Sequence, residues 1–312
     1  MKFSRGYAPC SIGNVGPGFD VFGLALDGAG DEVEAYKIDE EVIRMRSIHG
    51  DGGRLPMEAE KNTAGIAAIE TLKQLALKRG EKFGAELILK KKLPLNSGLG
   101  SSASSAAAAA VAVNALAAHP LPKSELLGAC IQAESVVSGF HADNVAPSLL
   151  GGFIVVESMD PLRWSRIEPN FNIPLGVITP NLEVATKEAR EVVPHLVEMN
   201  KIILQIGAVS TMLCGLYEQD LKKLARGIDD HIIEPARAKL IRGFNHAKAT
   251  ALEQGALCFS ISGSGPTVFF LCEDLQSLEQ VSIQVSDMWL GMGIESIVQK
   301  VGIDSYGARI LD

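Results

Sequence analysis

The chain has 312 residues, 47% of them hydrophobic and 21% charged, and its 29 basic and 37 acidic residues give a formal charge of −8. That is globular composition at a length suited to about two domains, and it excludes a disordered or fibrous chain. The acidic balance excludes a general surface for nucleic acid or an anionic membrane, while leaving room for a local cationic pocket.

Read from the N-terminus, MKFSRGYAPCSIG lacks the apolar stretch of a signal peptide. Residues 31–48 read as two strands around a turn, Ile43 and Met45 alternating with Arg44 and Arg46. Asn62 or Thr63 caps a helix whose apolar face runs Ile66, Ile69, Leu72 and Leu75 until Gly80 stops it. Ala85, Leu87 and Leu89 alternate with Glu86 and Lys90 in a strand that ends at Pro94. A Gly/Ser loop and an alanine helix over about 102–118 follow, closed by Pro120 and Pro122, with a further helix over about 123–138. Gly151-Gly152 precede a strand at Phe153–Val156.

The stretch 157–174, rich in proline and charge, marks a domain boundary with its turn at Met159-Asp160-Pro161, dividing the chain into 1–160 and 161–312. Beyond it come a strand at Leu175–Thr179, helices to about residue 254, and strands at Leu257–Ile261 and Thr267–Cys272 around Ser262-Gly-Ser-Gly-Pro266. A last helix and strand occupy about 275–301. Helices and strands mix without strict βαβ alternation, so the fold class is α+β in two layers. The most apolar run, Ser105–Ala118, is too short to span a bilayer. The five cysteines are far apart and form no CxxC pair, which points to a reducing, cytoplasmic compartment and no zinc ribbon.

The strongest chemical signal is Pro94-Leu-Asn-Ser-Gly-Leu-Gly-Ser-Ser-Ala-Ser-Ser105. Gly98 and Gly100 expose backbone N–H groups ahead of a helix N-terminus, and that combination makes an anion site, most often for phosphate. Ser101, Ser102, Ser104 and Ser105 add hydroxyls that can reach phosphate or a cation. The string is not a Walker A loop. Taken alone, a Gly/Ser loop before an apolar helix is also an ordinary serine-capped turn.

Pro94–Ser105 resembles the phosphate loop of the GHMP kinases (galactokinase, homoserine kinase, mevalonate kinase, phosphomevalonate kinase). Residues 8–20, Ala-Pro-Cys-Ser-Ile-Gly-Asn-Val-Gly-Pro-Gly-Phe-Asp, resemble that superfamily's N-terminal substrate motif, and residues 262–267 its C-terminal glycine motif. Four further strings, Asn14–Asp20, His141–Pro147, Thr186–Arg190 and Glu234–Arg237, resemble the homoserine kinase branch. The resemblance implies a two-domain fold, an N-terminal domain like ribosomal protein S5 domain 2 followed by a ferredoxin-like domain. It implies MgATP-dependent phosphorylation of the L-homoserine side-chain hydroxyl on the route to threonine, commonly by a homodimer.

It also assigns sites. Pro94, Leu95, Asn96, Ser97, Gly98, Leu99, Gly100, Ser101, Ser102, Ala103 and Ser104 would hold ATP with Gly263, Ser264 and Gly265, and Asn62 would contact adenine. Glu134 matches the family's metal carboxylate, with Ser102 as the hydroxyl ligand of Mg2+ and Ser101 as the alternative. A zwitterionic substrate calls for arginine on its carboxylate and a carboxylate on its ammonium; Arg190, Arg237 and Asp20 match, with Thr186 alongside. Asn14 and Asn144 would orient the hydroxyl. Mevalonate kinase has an aspartate base at the Asn144 position, so an amide there implies transfer without a side-chain base, Asp143 being adjacent but directed elsewhere. Asn14, Asn144, Glu134 and Arg190 are thus the expected catalytic set. His141 is read as a structural hydrogen-bonder, Lys90, Lys91 and Lys92 as solvated charges ahead of the loop, and Thr267 as closing on phosphate or substrate. The alternatives are a GHMP kinase for another small hydroxylated substrate, or a ligand sensor that has lost catalysis.

Overall fold

The computed structural model describes residues 2–137 and 139–312. The last residue of the helix expected to 138 lies outside that description. The first sheet is built around two long strands, β1 (Phe3–Gly13) and β2 (Phe22–Ile38), paired antiparallel. Beyond β2 come β4 (Gly84–Lys90) and, parallel to it at the edge, β3 (Ile43–His49). The hairpin of β5 (Phe153–Met159) and β6 (Leu162–Ile167) joins the other end of β2, and the C-terminal β11 (Arg309–Leu311) pairs with β1. The Met159–Pro161 turn is thus the turn of a hairpin in the first sheet, and that sheet extends past residue 160 to Ile167 and takes back residues 309–311.

Helices α1 (Thr63–Arg79), α2 (Ser101–Ala115), α3 (Leu127–Ser135) and α4 (Val145–Leu150) join this sheet around one core. Helix α1 begins and ends as its residues dictate: Asn62 Oδ1 accepts from Ala64 N at 3.0 Å, and Gly80 takes the left-handed conformation at the C-cap. Helix α2 is mostly alanine and valine beyond its serine-rich first turn and is buried on every side, so it is an interior helix. Its alanines bring backbones close: a Cβ on Gly6 of β1 would lie 2.3 Å from Ala108 O.

The second sheet is antiparallel in the order β10 (Ser296–Val301), β7 (Leu175–Pro180), β9 (Val268–Leu271), β8 (Cys258–Ile261). Strand β9 is apolar throughout and sends successive side chains to opposite faces of a sheet covered on both sides. Val268 and Phe270 meet α9 (Phe244–Glu253) and α10 (Leu275–Gly291), while Phe269 and Leu271 meet the side carrying α6 (Met199–Glu218) and α7 (Leu221–Gly227). That second core also contains Ile12, Phe22 and Leu24 from the first sheet, so the two domains share apolar packing directly beneath the substrate motif.

The Gly6–Ala108 contact leaves no room for one methyl group. Gly6→Ala is expected to cost about 1–3 kcal/mol, the range for overpacking a tight core, read as a lowered urea midpoint with an unchanged slope.

Candidate active site

The three motifs singled out in the sequence meet at the seam between the domains. Gly263 N donates to Gly13 O at 3.0 Å, Thr267 N to Ser97 O at 3.1 Å, and Ser11 N to Leu99 O at 3.1 Å. Ser262 Oγ donates to Gly98 O at 2.7 Å. Glycine is required at two of these places: a Cβ on Gly98 would lie 2.4 Å from Ser262 O, one on Gly100 2.2 Å from Ser11 Oγ, and both residues have positive φ. Between the motifs lies a cavity of about 320 Å³.

One end of the cavity is an anion cradle. Helix α2 starts with Gly100 as N-cap, no side chain caps it, and its first turn holds no acidic residue, so its leading N–H groups are left for a ligand. Gly98, Gly100, Ser101 and Ser102 line this end. The structure separates the two candidate serines. Ser102 Oγ donates to Glu134 Oε2 of α3 at 3.1 Å, whereas Ser101 Oγ accepts from Lys91 Nζ at 2.7 Å and donates to Leu93 O at 3.3 Å. A hydroxyl beside a buried carboxylate at a phosphate cradle is the oxygen-donor set that Mg2+ takes from protein, so Ser102 and Glu134 fit the ion and Ser101 is occupied elsewhere.

Several expectations need correction. The Ser104 hydroxyl turns inward, donating to Ala8 O at 2.7 Å and accepting from Asp31 N at 2.9 Å, and Ser105 Oγ donates to Asp31 Oδ2 at 2.7 Å. Both therefore tie α2 to β1 and β2. Leu95, Asn96, Ser97, Gly263 and Ser264 line the cavity, whereas Pro94, Leu99, Ala103, Ser104 and Gly265 are not among its lining residues. Thr267 is fully buried with its Oγ1 2.7 Å from Thr179 Oγ1, so it braces the sheet and does not face a ligand. Of the three lysines, Lys90 and Lys92 pair with Glu34 and Glu32 on the outer surface. Lys91 instead points inward onto Asp31 and also donates to Ser101 O at 2.8 Å and Ser105 Oγ at 2.9 Å. Burial pulls the Lys91 pKa below its usual value, opposed by the Asp31 charge and hydrogen bond.

The other polar cluster is built for opposite charges. Asn14 and Asp20 both have left-handed backbones, with φ of 55° and 56°, and Asn14 Oδ1 accepts from Asp20 N at 2.9 Å to hold the loop. Arg190 of α5 (Thr186–Glu191) clasps Asp20 through two hydrogen bonds of 2.9 Å. That hydrogen bond, and then the charge of Asp20, raise the pKa of Arg190 against partial burial. Arg237 of α8 (Ile233–Arg237) is buried and donates Nε to Ala189 O at 3.1 Å and Nη1 to Gly263 O at 2.7 Å. It is therefore a brace as well as a cavity-lining cation. Both guanidinium groups lie over the Phe19 ring, 5.3 and 5.1 Å from its centroid. Thr186, Arg190, Arg237, Asn14 and Asn144 line the cavity, and Asp20 joins it through Arg190.

Asn144 Oδ1 accepts from Ser11 Oγ at 3.2 Å. Asp143, fully buried, accepts from Asn14 N at 3.0 Å on one oxygen and lies 2.7 Å from His141 Nδ1 with the other. It points behind the loop that carries Asn14. Burial is the largest influence on His141 and lowers its pKa; the Asp143 hydrogen bond and charge, with Asp20 and Glu134, together outweigh it and raise the value to about 9.

At the far end the wall is Arg54, Leu55, Pro56, Lys61, Asn62 and Thr63. Sequence reading found only Asn62 among these. Its amide is already in use, Oδ1 capping α1 and Nδ2 donating to Pro56 O at 3.0 Å, so its side chain shapes this end of the cavity. Arg54 also reaches Glu183 of the second domain at 2.8 Å, an exposed pair of little energetic weight.

Residues 65–152 match the GHMP kinases N terminal domain and residues 212–289 the GHMP kinases C terminal domain. The chain is 40% identical over 320 aligned residues to a homoserine kinase of Chlorobaculum tepidum, covering 100% of this chain and 99% of that one. It superposes on the crystal structure of a homoserine kinase from Cytophaga hutchinsonii with a TM-score of 0.94 at 38% identity, over 100% and 98% of the two chains. The Lactococcus lactis galactokinase complexed with galactose shares the fold, with a TM-score of 0.73 at 14% identity over 100% and 96%.

The Asp143–His141 contact makes the imidazole a test of this geometry. The folded-state pKa lies above the ordinary 6.5. Protonation therefore stabilises the fold fully below about pH 6.5, and the contribution fades as pH rises through about 9. An NMR titration of His141 should give a midpoint near 9, and Asp143→Asn should lower it, because the hydrogen bond and charge that most oppose burial are removed while the charges of Asp20 and Glu134 remain.

Proposed function

The chain belongs to the homoserine kinases of the GHMP kinase family, and we propose that it transfers the γ-phosphoryl group of ATP to the side-chain hydroxyl of L-homoserine in the cleft between its domains. The observation that carries this reading is the juxtaposition, in one cavity, of an uncapped helix N-terminus beside Ser102 and Glu134 with the paired charges of Asp20 and Arg190.

ATP phosphates would lie on the N–H groups of Gly98–Ser102, with the base toward Leu55, Pro56, Lys61 and Asn62. Ser102 and Glu134 would hold Mg2+, which when bound neutralises phosphate charge. Homoserine is a zwitterion, so its ammonium and carboxylate are the counterparts of Asp20 and Arg190. The two residues clasp one another in the free protein and would share that pairing with the substrate. Arg237 supplies a second cation to the carboxylate, already aimed by its bonds to Ala189 O and Gly263 O.

Asn14 and Asn144 then fix the hydroxyl in line. The Oδ1 atoms of both are occupied, by Asp20 N and Ser11 Oγ, and Asn144 Nδ2 gives one hydrogen to Asp143 Oδ2 at 3.5 Å, so the Asn14 amide and the second hydrogen of Asn144 Nδ2 are the donors that would meet the hydroxyl oxygen. An amide cannot take the proton, and both Asp143 oxygens are engaged. Transfer therefore proceeds by alignment and charge stabilisation, as a loose phosphoryl transition state allows, with the proton leaving on a phosphate oxygen. A mevalonate-type reading lacks its acidic base here, since position 144 is an amide. A sensor that has lost catalysis would have no need of the Ser102–Glu134 pair. We read the protein as a soluble, cytoplasmic homodimer; four of its five free cysteines are buried, in keeping with a reducing compartment.

With purified protein and MgATP, ADP release should follow homoserine and not mevalonate, galactose or shikimate; release with none of them would point to a sensor. Arg190→Ala should raise the homoserine KM by about 10- to 150-fold, corresponding to a charge-assisted hydrogen bond of about 1.5–3 kcal/mol, and leave the ATP KM near its original value. Glu134→Gln should instead depress kcat. The kcat should stay level from about pH 6 to about pH 8, where a carboxylate or imidazole base would bend it. An unchanged homoserine KM in Arg190→Ala would sink the substrate assignment.

A further inference from the structure

Behind the cavity, one half-buried amide joins the two sides of the zwitterion site. Gln205 lies on α6, and its Nε2 donates to Pro17 O at 3.0 Å and to Asp230 Oδ1 at 2.9 Å. Its Oε1 accepts from His231 N at 2.9 Å. Both amide hydrogens and the carbonyl oxygen are therefore in use. A carboxylate could not make the two donor bonds, and an alkyl chain could make none of the three.

Each bond leads to a binding group. Pro17 stands three residues before Asp20 in the substrate loop. Asp230 caps α8: its Oδ1 accepts from Ile232 N at 3.0 Å and Ile233 N at 2.9 Å, and its Oδ2 from Glu234 N at 2.9 Å. Helix α8 has only five residues and ends in Arg237. A helix that short is not held by its own length, so its place depends on the cap. The three segments meet without slack. A Cβ on Gly16 would lie 3.0 Å from Ile228 Cα, and one on Gly227 would lie 2.3 Å from Met212 N of α6.

We propose that Gln205 is a positioning residue that sets the separation between Asp20 and Arg237, and thereby selects a ligand whose ammonium and carboxylate sit on one carbon. The inference rests on the homoserine reading above and deepens it. The Arg190–Asp20 clasp cannot set that separation, because the substrate would share it. Pro17, Gln205, Asp230 and His231 are not among the residues that line the cavity, so this link stays whole when a ligand enters. Its contribution is geometric: displacing a binding group by about 1 Å can cost up to about 100-fold.

Gln205→Met keeps the volume and removes the three bonds. Steady-state kinetics should show the homoserine KM raised about 10-fold, with kcat within about threefold and the ATP KM within about twofold of the natural protein. Gln205→Glu should raise the homoserine KM further, since its carboxylate cannot donate to Pro17 O and would face that of Asp230. Homoserine without its amino group, γ-hydroxybutyrate, engages only the arginine side. Its inhibition constant should therefore stay within about twofold in both variants, whereas loss of a merely structural residue would weaken the two ligands alike. Should Gln205→Met fail to fold, Gln205→Asn, with its amide one methylene short of Pro17 O, decides by the same comparison. An unchanged homoserine KM, or equal losses for homoserine and γ-hydroxybutyrate, would overturn the proposal and leave the kinase reading standing. A natural protein that does not turn over homoserine would overturn both.

Discussion

The Lys91 ammonium and the Asp31 carboxylate are almost wholly withdrawn from water, 1% and 0% exposed, where β2, the end of β4 and the first turn of α2 converge. Desolvating two charges costs several kcal/mol each, recovered only when both are fully hydrogen-bonded. Here they are. Besides Lys91, Asp31 accepts from Lys92 N at 2.9 Å, Leu93 N at 3.3 Å and Ser105 Oγ at 2.7 Å, and Lys91 donates to both oxygens of Ser101 and to Ser105. The loop 92–100 therefore leaves β4 in one direction only. Its far end is fixed by the same pair, because α2 cannot rotate or slide without breaking those contacts. A cradle of backbone N–H groups binds an anion well only if it is preformed, and this pair preforms it.

The rest of the site follows from that anchored edge. With the loop in place, Gly98 and Gly100 meet Ser262 and Ser11, so the second domain's glycine motif and the substrate strand dock against it. Docking brings Arg190 and Arg237 from the second domain over the Phe19 ring, with Arg190 bonded to Asp20. The proposed phosphate and zwitterion sites thus share one cavity although their residues come from opposite ends of the chain. A protein of net charge −8 can hold two anionic groups in this way, since backbone dipoles and two arginines act locally.

How much of this was legible depended on whether the signal was local. The Asn62 cap, the Gly80 stop, the β4 alternation and the alanine run of α2 are nearest-neighbour effects, and each lies where the residues put it. Strand β1 was not read as a strand. It is central and covered on both faces, so it shows no alternation, and its Gly6 and Pro9 resemble loop residues, Pro9 sitting at a register shift. The turn at Met159–Pro161 was visible, but β6 and β11 are short and largely exposed, and their place in the first sheet is set by long-range pairing. Lys91 carried a signal that was passed over: continuing Ala85, Leu87 and Leu89 by two puts it on the buried face. Phe19 had none, because a lone aromatic in a glycine loop does not announce that two arginines will stack on it. The motifs marked the site's edge, and the hydroxyl directions of Ser101, Ser102, Ser104 and Ser105 emerged only from the fold.

The central claim is that the buried pair shapes the phosphate cradle and leaves the substrate pocket to other residues. Calorimetric titration of Lys91→Met/Asp31→Asn, a variant with no unpaired buried charge, tests it most directly. The account predicts that MgATP binds at least about 10-fold more weakly, the loss of about 1.4 kcal/mol or more of preorganisation, while homoserine affinity, carried by Asp20, Arg190 and Arg237, stays within about twofold. MgATP affinity equal to that of the natural protein, or equal losses for both ligands, would contradict it.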